Sequence, residues 1–509
     1  MELTPATAPG PDRPAPETAA LDTPTSEAPA PEVPAREIPP LVTPTLEVPA
    51  RETPPLVTPA LEAPGPVATV PARSVLTPRS LPSLLHLDRY RNEGTRVYSP
   101  HAGYSEARER YRPDSRYPSF HLPVFQLPVE DTRVFEANPS PALRELYLWS
   151  DAVAFCVHPQ VLEEAPEDPY LKRTLALGTP LDPILVAPSS STRTLYVLDP
   201  ADPTYPARPT HPAKLAAPHH ALKVHFPFRI SRYGRKMREE VVEQAVNVSR
   251  ELEAGVGSMV GGFAFLREVL GVTHRDLNPD APRGENWGYL VRDMAPFPPS
   301  AEKRLLVPGF ALYGGDFFRP ERPFLLMEMA VSGLALCAPV TEAALRLFLL
   351  ETLFLPIVRH WVDCFLHFGL ILEPHGQNVL LEVDGEGKVQ RIVHRDLSLG
   401  IDMRRRRDLG LPSERLNAYN RMEDGTFASI AYDRMMGAHF FDHLLGPVLA
   451  AFPALGPEDF RGPCREEFAR LFPDHQRYLP RTAHYFREER DEYGKPLYQD
   501  TGQAPEWRP

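Results

Sequence analysis

Cysteine is scarce: four residues in 509, at Cys156, Cys337, Cys364 and Cys464. They lie far apart and show no metal-knuckle spacing, which excludes a disulfide framework and a thiolate metal site and reads as a reducing, cytoplasmic compartment. No basic segment followed by an apolar run opens the chain, so no signal peptide is expected. Long uninterrupted apolar runs are missing too. The most apolar stretch, Leu345–Leu372, carries Glu351, Arg359, Asp363 and two histidines; that load excludes a lipid-spanning helix and suits buried helices ending near Gly369. Positive charge is in deficit, with a net charge of −12, and basic runs such as Arg404–Arg407 are short. Nucleic acid is therefore not an expected partner, and membrane insertion is not expected either. A glycine-rich phosphate loop with a partner lysine is lacking, as is "DFG". "HRDLN" at His274 and "HRDLS" at His394 both miss the asparagine of a protein-kinase catalytic loop, having Ala281 and Ile401 in its place.

Proline, by contrast, is abundant. Of 62 prolines, 20 fall in residues 1–80, where "EVPAREIPPLVTPTL" from Glu32 is followed directly by "EVPARETPPLVTPAL" from Glu47. Proline removes backbone donors and fixes φ, so residues 1–80 are expected to form a disordered or polyproline II tail, a candidate tether or partner-binding segment. Residues 81–150 are polar, aromatic and rich in arginine, and read as a short N-terminal lobe. From Ala152 the pattern strengthens. "PILVAPSSSTRTLYVL" (Pro183–Leu198) predicts two strands around a polar turn, and "ALKVHFPFRIS" (Ala221–Ser231) a further strand. Arg238–Gly255 has helical apolar spacing and stops at glycine. "YLVRD" and "RLLVPGFALYG" read as strands, the stretch 341–369 as helix, and the chain after Asp402 as mostly helical. Strands and helices in mixed blocks predict an α+β fold, with regions 151–335 and 336–509 as its two main parts.

Chemistry concentrates in three places. "NVLLEVD" and "KVQRIVHRD" are β-rich arms around "GEGK". Antiparallel pairing of Asn378 with about residue 394 would bring the "EPHGQN" end beside the "HRD" end. Oxygen donors from Asn378, Asp396 and Glu373 would then converge, a set suited to Mg²⁺ held together with substrate phosphates, while His375 and Gln377 add donors. Gly376 would let a ligand approach the backbone closely. "SSSTRT" (Ser189–Thr194) offers hydroxyls and a guanidinium able to cradle phosphate oxygens. In "LKVHFPFRISRYGRKM", Lys223, Arg229, Arg232, Arg235 and Lys236 form a basic cluster on an acidic chain, suited to a polycarboxylate or polyphosphate.

Taken in order, these segments resemble the siderophore synthetases that work independently of peptide-synthetase assembly lines, the IucA/IucC family. "FGLILEPHGQNVLL" followed by "VHRDLSLG" is similar to that family's "HgQN" and "RD" elements, "SSSTRT" to its nucleotide element, "LKVHFPFRISRYGR" to its basic strand, and "VHPQ" (Val157–Gln160) to its "HPwQ" element. The resemblance covers about residues 150–450. It implies a cupped-hand fold with antiparallel "fingers" and a kinase-like "palm". It also implies a ligase that uses ATP and Mg²⁺ to adenylate a citrate-like carboxylic acid and passes the acyl group to an amine, hydroxylamine or alcohol, commonly as a homodimer. Carried over, Ser191, Arg193, Thr194 and His375 would hold phosphates and Lys223 would offset developing charge. Ser231 and Arg235 would bind the carboxylic acid. Gln377 and Asn378 would line the nucleotide site, and Glu373, Asn378 and Asp396 would hold the metal. Lys223, Arg235 and His375 are the expected catalytic groups. Two alternatives stay open: a kinase-like phosphotransferase acting on a small molecule, and a non-catalytic nucleotide-binding protein.

Overall fold

The structure is a computed structural model. It describes residues 83–96, 103–198, 219–231, 233–259, 262–277, 286–300, 305–318, 320, 324–329, 341–384, 387–417, 420–490 and 496–509. The proline-rich segment and its repeat lie outside these residues, as do Arg232 and the centre of the "GEGK" turn.

The described fold is α+β and is built around one large sheet. Its strands are β1 (Phe120–Pro128), β2 (Thr132–Glu136), β3 (Ala152–Cys156), β4 (Thr179–Pro188), β5 (Thr194–Val197) and β6 (His220–Val224). Next come β7 (Phe226–Ile230) and β8 (Tyr233–Arg235), which form a small sheet of their own. β9 (Ala264–His274), β10 (Gly288–Phe297) and β11 (Leu305–Pro308) follow. β12 (Leu370–Ile371) pairs outside the large sheet, and β13 (Val379–Val383) and β14 (Val389–His394) complete it. The order is β11-β13-β14-β9-β10-β6-β5-β4-β1-β3, with β2 also paired to β9. Neighbours are antiparallel except β14 and β9, which run parallel through Val393 opposite Ala264. This sheet runs across both sequence divisions, at 150 and at 335, and residues 72–509 form one compact unit.

Local sequence accounts for most elements. Val242, Ala245, Val246, Ser249 and Leu252 give the helix Glu239–Gly255 one buried face, which packs on β9. The apolar stretch around Leu345–Leu372 forms Glu342–Leu349, a π-helical turn Leu350–Phe354, and Leu355–Phe368. It ends at Gly369, whose φ of 59° is the left-handed conformation that closes helices. These helices join Thr426–Met436, Asp442–Ala451 and Glu458–Leu471 in the largest core cluster, where Trp361, Phe365, Tyr432 and Phe468 meet. A second cluster, with Phe155, Trp287 and Tyr289, fills the sheet's other end.

Two expectations needed correction. Ala221–Ser231 is not one strand. It breaks at His225, whose ring stacks on Trp287 at 4.5 Å and whose Nδ1 accepts the Met237 N–H. Pro227, two residues on, has no N–H for a ladder, and β7 leaves the large sheet. "RLLVPGFALYG" is a strand only over Leu305–Pro308 and turns into a 3₁₀ helix at Gly309–Leu312. The chain after Asp402 is mostly helical, as expected, with His484–Arg490 and Pro496–Asp500 as an antiparallel pair of strands.

Candidate functional site

The β13–β14 hairpin places Val379 opposite His394 and Leu380 opposite Val393. A bulge between Glu382 and Val383 shifts the register by one residue from the expected pairing. Asn378 therefore lies opposite Arg395, whose N–H donates to Asn378 O at 2.9 Å. Arg395 Nε donates to Gln377 O at 2.6 Å, so the two ends of the hairpin are tied together as expected. Asp396 then adopts φ 77°.

These ends open onto a cleft with an empty volume of about 740 Å³, its mouth included. Three other segments complete its walls. The Ser189–Arg193 turn joins β4 to β5 and is held by its own hydroxyls: Ser191 Oγ accepts the Thr194 N–H at 3.2 Å and lies 3.1 Å from Ser189 Oγ. Lys223 reaches in from β6, where it sits opposite Thr194. Ile230, Ser231 and Arg235 come from the β7–β8 sheet. Ser191, Arg193, Thr194, Lys223, Ser231, Arg235, Gln377, Asn378 and Asp396 are thus brought together in one cleft. Thr192, Ser231 and Asp396 are three of the four described non-glycine residues with positive φ. Strained backbone of this kind persists where surrounding structure over-determines it, commonly at functional sites.

The electrostatics are those of an anion site. Lys223 Nζ donates to Asp396 Oδ1 at 2.7 Å, with the lysine side chain 4% and the aspartate 34% exposed. Burial raises the Asp396 carboxyl, but Lys223, Arg292 and Arg193 outweigh it and hold the group well below the usual carboxylate range. Burial lowers the Lys223 ammonium against the pull of Asp396. Burial, with the Arg235 charge beside it, lowers the Arg193 guanidinium to about 10, still cationic at neutral pH. Arg292 is paired with the fully buried Glu268, and Arg395 with Asp88. Among the described residues, Arg193 and Arg235 have no carboxylate at ion-pair distance. Arg193 Nη1 donates instead to Arg235 O at 3.1 Å, and Asp396 acts on Arg193 from beyond ion-pair distance.

Glu373 and His375 do not line the cleft. His375 is held in the turn before β13: its Nδ1 accepts the Gln377 N–H at 3.2 Å, and its Nε2 faces Glu373 Oε2 at 3.8 Å. Of the expected metal set of Glu373, Asn378 and Asp396, the cleft lining thus holds Asn378 and Asp396, and His375, expected to hold phosphate and act in catalysis, lies outside the lining. Among the described residues no three His, Cys, Asp or Glu cluster as metal ligands. An amide and one carboxylate still suit a Mg²⁺ that takes its remaining oxygens from substrate phosphates and water. Protein packs closely against Gly376: a Cβ there would lie 2.6 Å from Tyr313 Oη and 2.8 Å from Phe310 N.

Sequence reasoning gave no role to Thr95, Ile230, Arg292 and Arg395 in the lining, while Ser189 and Ser190 belong to the hydroxyl-rich turn it singled out. Only Arg395 carried a signal, its place beside Asp396. "VHPQ" proves to be a support. His158 caps the helix Pro159–Glu164, and Gln160 accepts from Arg108 N–H and donates to Glu106 O. That fixes the segment whose Tyr104 O accepts the Ser231 N–H. The Arg404–Arg407 run is absorbed in local contacts, with Arg406 buried against Glu251 and Arg407 paired with Glu423.

Residues 350–488 match the family described as ferric iron reductase FhuF-like transporter. No helix among the described residues is long and apolar enough to cross a membrane. No curated protein sequence gives a significant match. Solved structures do. ATP-bound aerobactin synthetase IucA from a hypervirulent pathotype of Klebsiella pneumoniae superposes with a TM-score of 0.61 at 14% identity, over 85% of this chain and 78% of that one. The petrobactin biosynthesis protein AsbB from Bacillus anthracis str. Sterne gives 0.56 at 16% identity, over 78% and 71%. Aerobactin synthetase IucC from the Klebsiella pathotype gives 0.55 at 15%, over 80% and 73%. The described chain thus has the fold shared by the siderophore synthetases IucA and IucC and the petrobactin protein AsbB.

Proposed function

We propose that this chain is an ATP-dependent, AMP-forming ligase of siderophore biosynthesis, joining a di- or tricarboxylic acid to an amine, hydroxylamine or alcohol. The observation that carries the reading is the cleft itself. Arg193 and Arg235, which make no ion pair among the described residues, line it together with hydroxyls of the Ser189–Thr194 turn, Asn378 and Asp396. This lies on a fold that in one neighbour is ATP-bound.

In this reading Ser191, Arg193 and Thr194 hold the ATP phosphates, and Ser231 with Arg235 orients the carboxylic acid. A carboxylate oxygen of the acid attacks the α-phosphorus, and the bond to pyrophosphate breaks. Lys223 supplies an ammonium where charge builds on the departing pyrophosphate. Asn378 and Asp396 would hold Mg²⁺, which neutralises phosphate charge when bound. The acceptor's nitrogen or oxygen then attacks the acyl carbon, loses its proton, and AMP leaves. Rate enhancement here comes from positioning and preorganised charge, so no covalent nucleophile is needed.

The test is product analysis with ATP, Mg²⁺, hydroxylamine and a panel of di- and tricarboxylates. AMP, pyrophosphate and a hydroxamate, formed with a particular acid only, are expected. ADP with a phosphorylated small molecule would replace this reading with a phosphotransferase, and ATP binding without turnover would replace it with a non-catalytic nucleotide-binding protein.

A further inference from the structure

The helix Leu84–Tyr90 is buried along its whole length, and one of its buried residues is an aspartate. Asp88 is 0% exposed and accepts from both terminal nitrogens of Arg395, Nη1 to Oδ2 at 2.7 Å and Nη2 to Oδ1 at 2.8 Å. Tyr196 of β5 donates its hydroxyl to the same Asp88 Oδ2, and Arg395 Nη1 lies 3.3 Å from that hydroxyl. The third nitrogen, Nε, holds the Gln377 carbonyl at 2.6 Å. One planar side chain is thus locked to the N-terminal helix on one side and to the Gln377–Asn378 corner on the other. Its own backbone N–H holds Asn378 O, and the next residue is Asp396 at φ 77°.

A fork with both terminal nitrogens on a buried carboxylate has its charge answered inside the protein. Burial opposes the Arg395 charge, but Asp88 overcomes it and raises the guanidinium above its ordinary value. Arg395 lines the cleft, yet it is committed to protein groups in a way that Arg193 and Arg235 are not.

We propose that Asp88 and Tyr196, acting through Arg395, are positioning residues: they hold Gln377, Asn378 and Asp396 at the cleft, so the short N-terminal helix is part of the site. The ligand side of this inference rests on the cleft being the nucleotide site; the backbone side does not.

The experiment is hydrogen–deuterium exchange on the full chain, wild type against Asp88→Asn, which keeps the shape and removes the charge. The amides of Gln377, Asn378, Val379 and Arg395 bond within the corner, and exchange there is expected to rise at least 10-fold with β9 and β10 unchanged. Arg395→Lys, whose single ammonium cannot hold both Asp88 and the Gln377 carbonyl, should give the same local pattern. Should either variant fail to fold, Tyr196→Phe is the gentler probe, with a 2- to 5-fold rise at the same amides. Unchanged exchange, or a rise spread evenly through the sheet, overturns the proposal. Mg–ATP titration below the melting temperature is the second arm, with affinity expected to fall at least 10-fold in Asp88→Asn. A variant that binds as tightly as a binding-competent wild type overturns the proposal. A wild type that binds no ATP sinks the ligase reading instead, and the exchange result still decides the positioning role.

Discussion

Asp396→Asn separates charge from shape at the centre of the cleft. The wild-type carboxylate accepts from Lys223 Nζ at 2.7 Å, with Arg292 and Arg193 close enough to act on it. Asparagine keeps the volume and leaves Lys223 without its ion-pair partner, near Arg193 and the Glu268-paired Arg292. The pair lies between two regimes: exposed pairs contribute about 0–1 kcal/mol and breaking buried ones costs about 3–5 kcal/mol. With Asp396 34% exposed, a loss of about 1–3 kcal/mol in stability is expected. Anion binding should move the other way. A charge removed roughly 5 Å from a bound phosphate is worth about 3 kcal/mol at an effective dielectric of ~20, and solvent at the exposed carboxylate reduces this to about 1–2 kcal/mol. Pyrophosphate in EDTA should therefore bind about 5- to 30-fold tighter to the variant. Mg²⁺-dependent AMP release should fall to background, because two neutral amide oxygens replace an amide and a carboxylate and leave the metal without an anionic protein donor. Calorimetric titration of pyrophosphate in EDTA, beside AMP release with Mg²⁺, measures both. Asp396 is held below its ordinary pKa, so it stays ionised and the difference should be flat from about pH 5 to 8; its stabilising contribution is lost only as pH falls through the depressed value. Weaker or unchanged pyrophosphate binding in EDTA, or turnover that survives, would refute the electrostatic account.

Three further outcomes are expected. Gly376→Ala should lower stability by about 1–3 kcal/mol, because the new Cβ meets Phe310 backbone as well as Tyr313 Oη; a thermal melt equal to wild type would show that this corner can give way. Ser231→Gly should raise stability by about 1 kcal/mol by relieving φ 62°, yet raise the KM for the carboxylic acid; melting and acid-dependent AMP release test the two halves. Acid should unfold the protein early. Burial lowers His158, His274 and His394 to about 3 and His220 to about 4. These rings stay neutral when folded and take up protons only in the unfolded chain below about pH 6.5, so stability falls as pH drops from there toward the folded values. At pH 5.5 the loss is about 1.4 kcal/mol per ring, or roughly 5–6 kcal/mol together, comparable with a whole domain's margin. A urea midpoint that does not move between pH 7.5 and 5.5 would contradict this.

Much of the architecture was legible before any coordinates. Apolar spacing marked the helix Glu239–Gly255, and the glycine stop marked the end of Leu355–Phe368, because periodicity and capping are local properties. The polar turn between β4 and β5 and the hairpin around residues 379–394 were legible for the same reason. Local sequence also supplied most of the cleft: the hydroxyls and Arg193, Lys223, Ser231 and Arg235, Gln377, Asn378 and Asp396.

What the chain by itself determined, then, was which residues carry the chemistry and which short elements present them. Tertiary structure decided where each one points. A one-residue bulge, invisible to β propensity, put Arg395 opposite Asn378. The turn before β13 drew His375 and Glu373 out of the cleft, since a backbone held by Gln377 and Val379 leaves their side chains facing each other. Asp88 and Arg395 are 307 positions apart, and no local pattern links two residues that meet only because a buried helix and a hairpin end pack on the same sheet. Which cleft cations are ion-paired inside the described fold was likewise a tertiary matter: Arg292 and Arg395 look no different from Arg193 and Arg235 in sequence, and only folding supplies the first two with buried carboxylates.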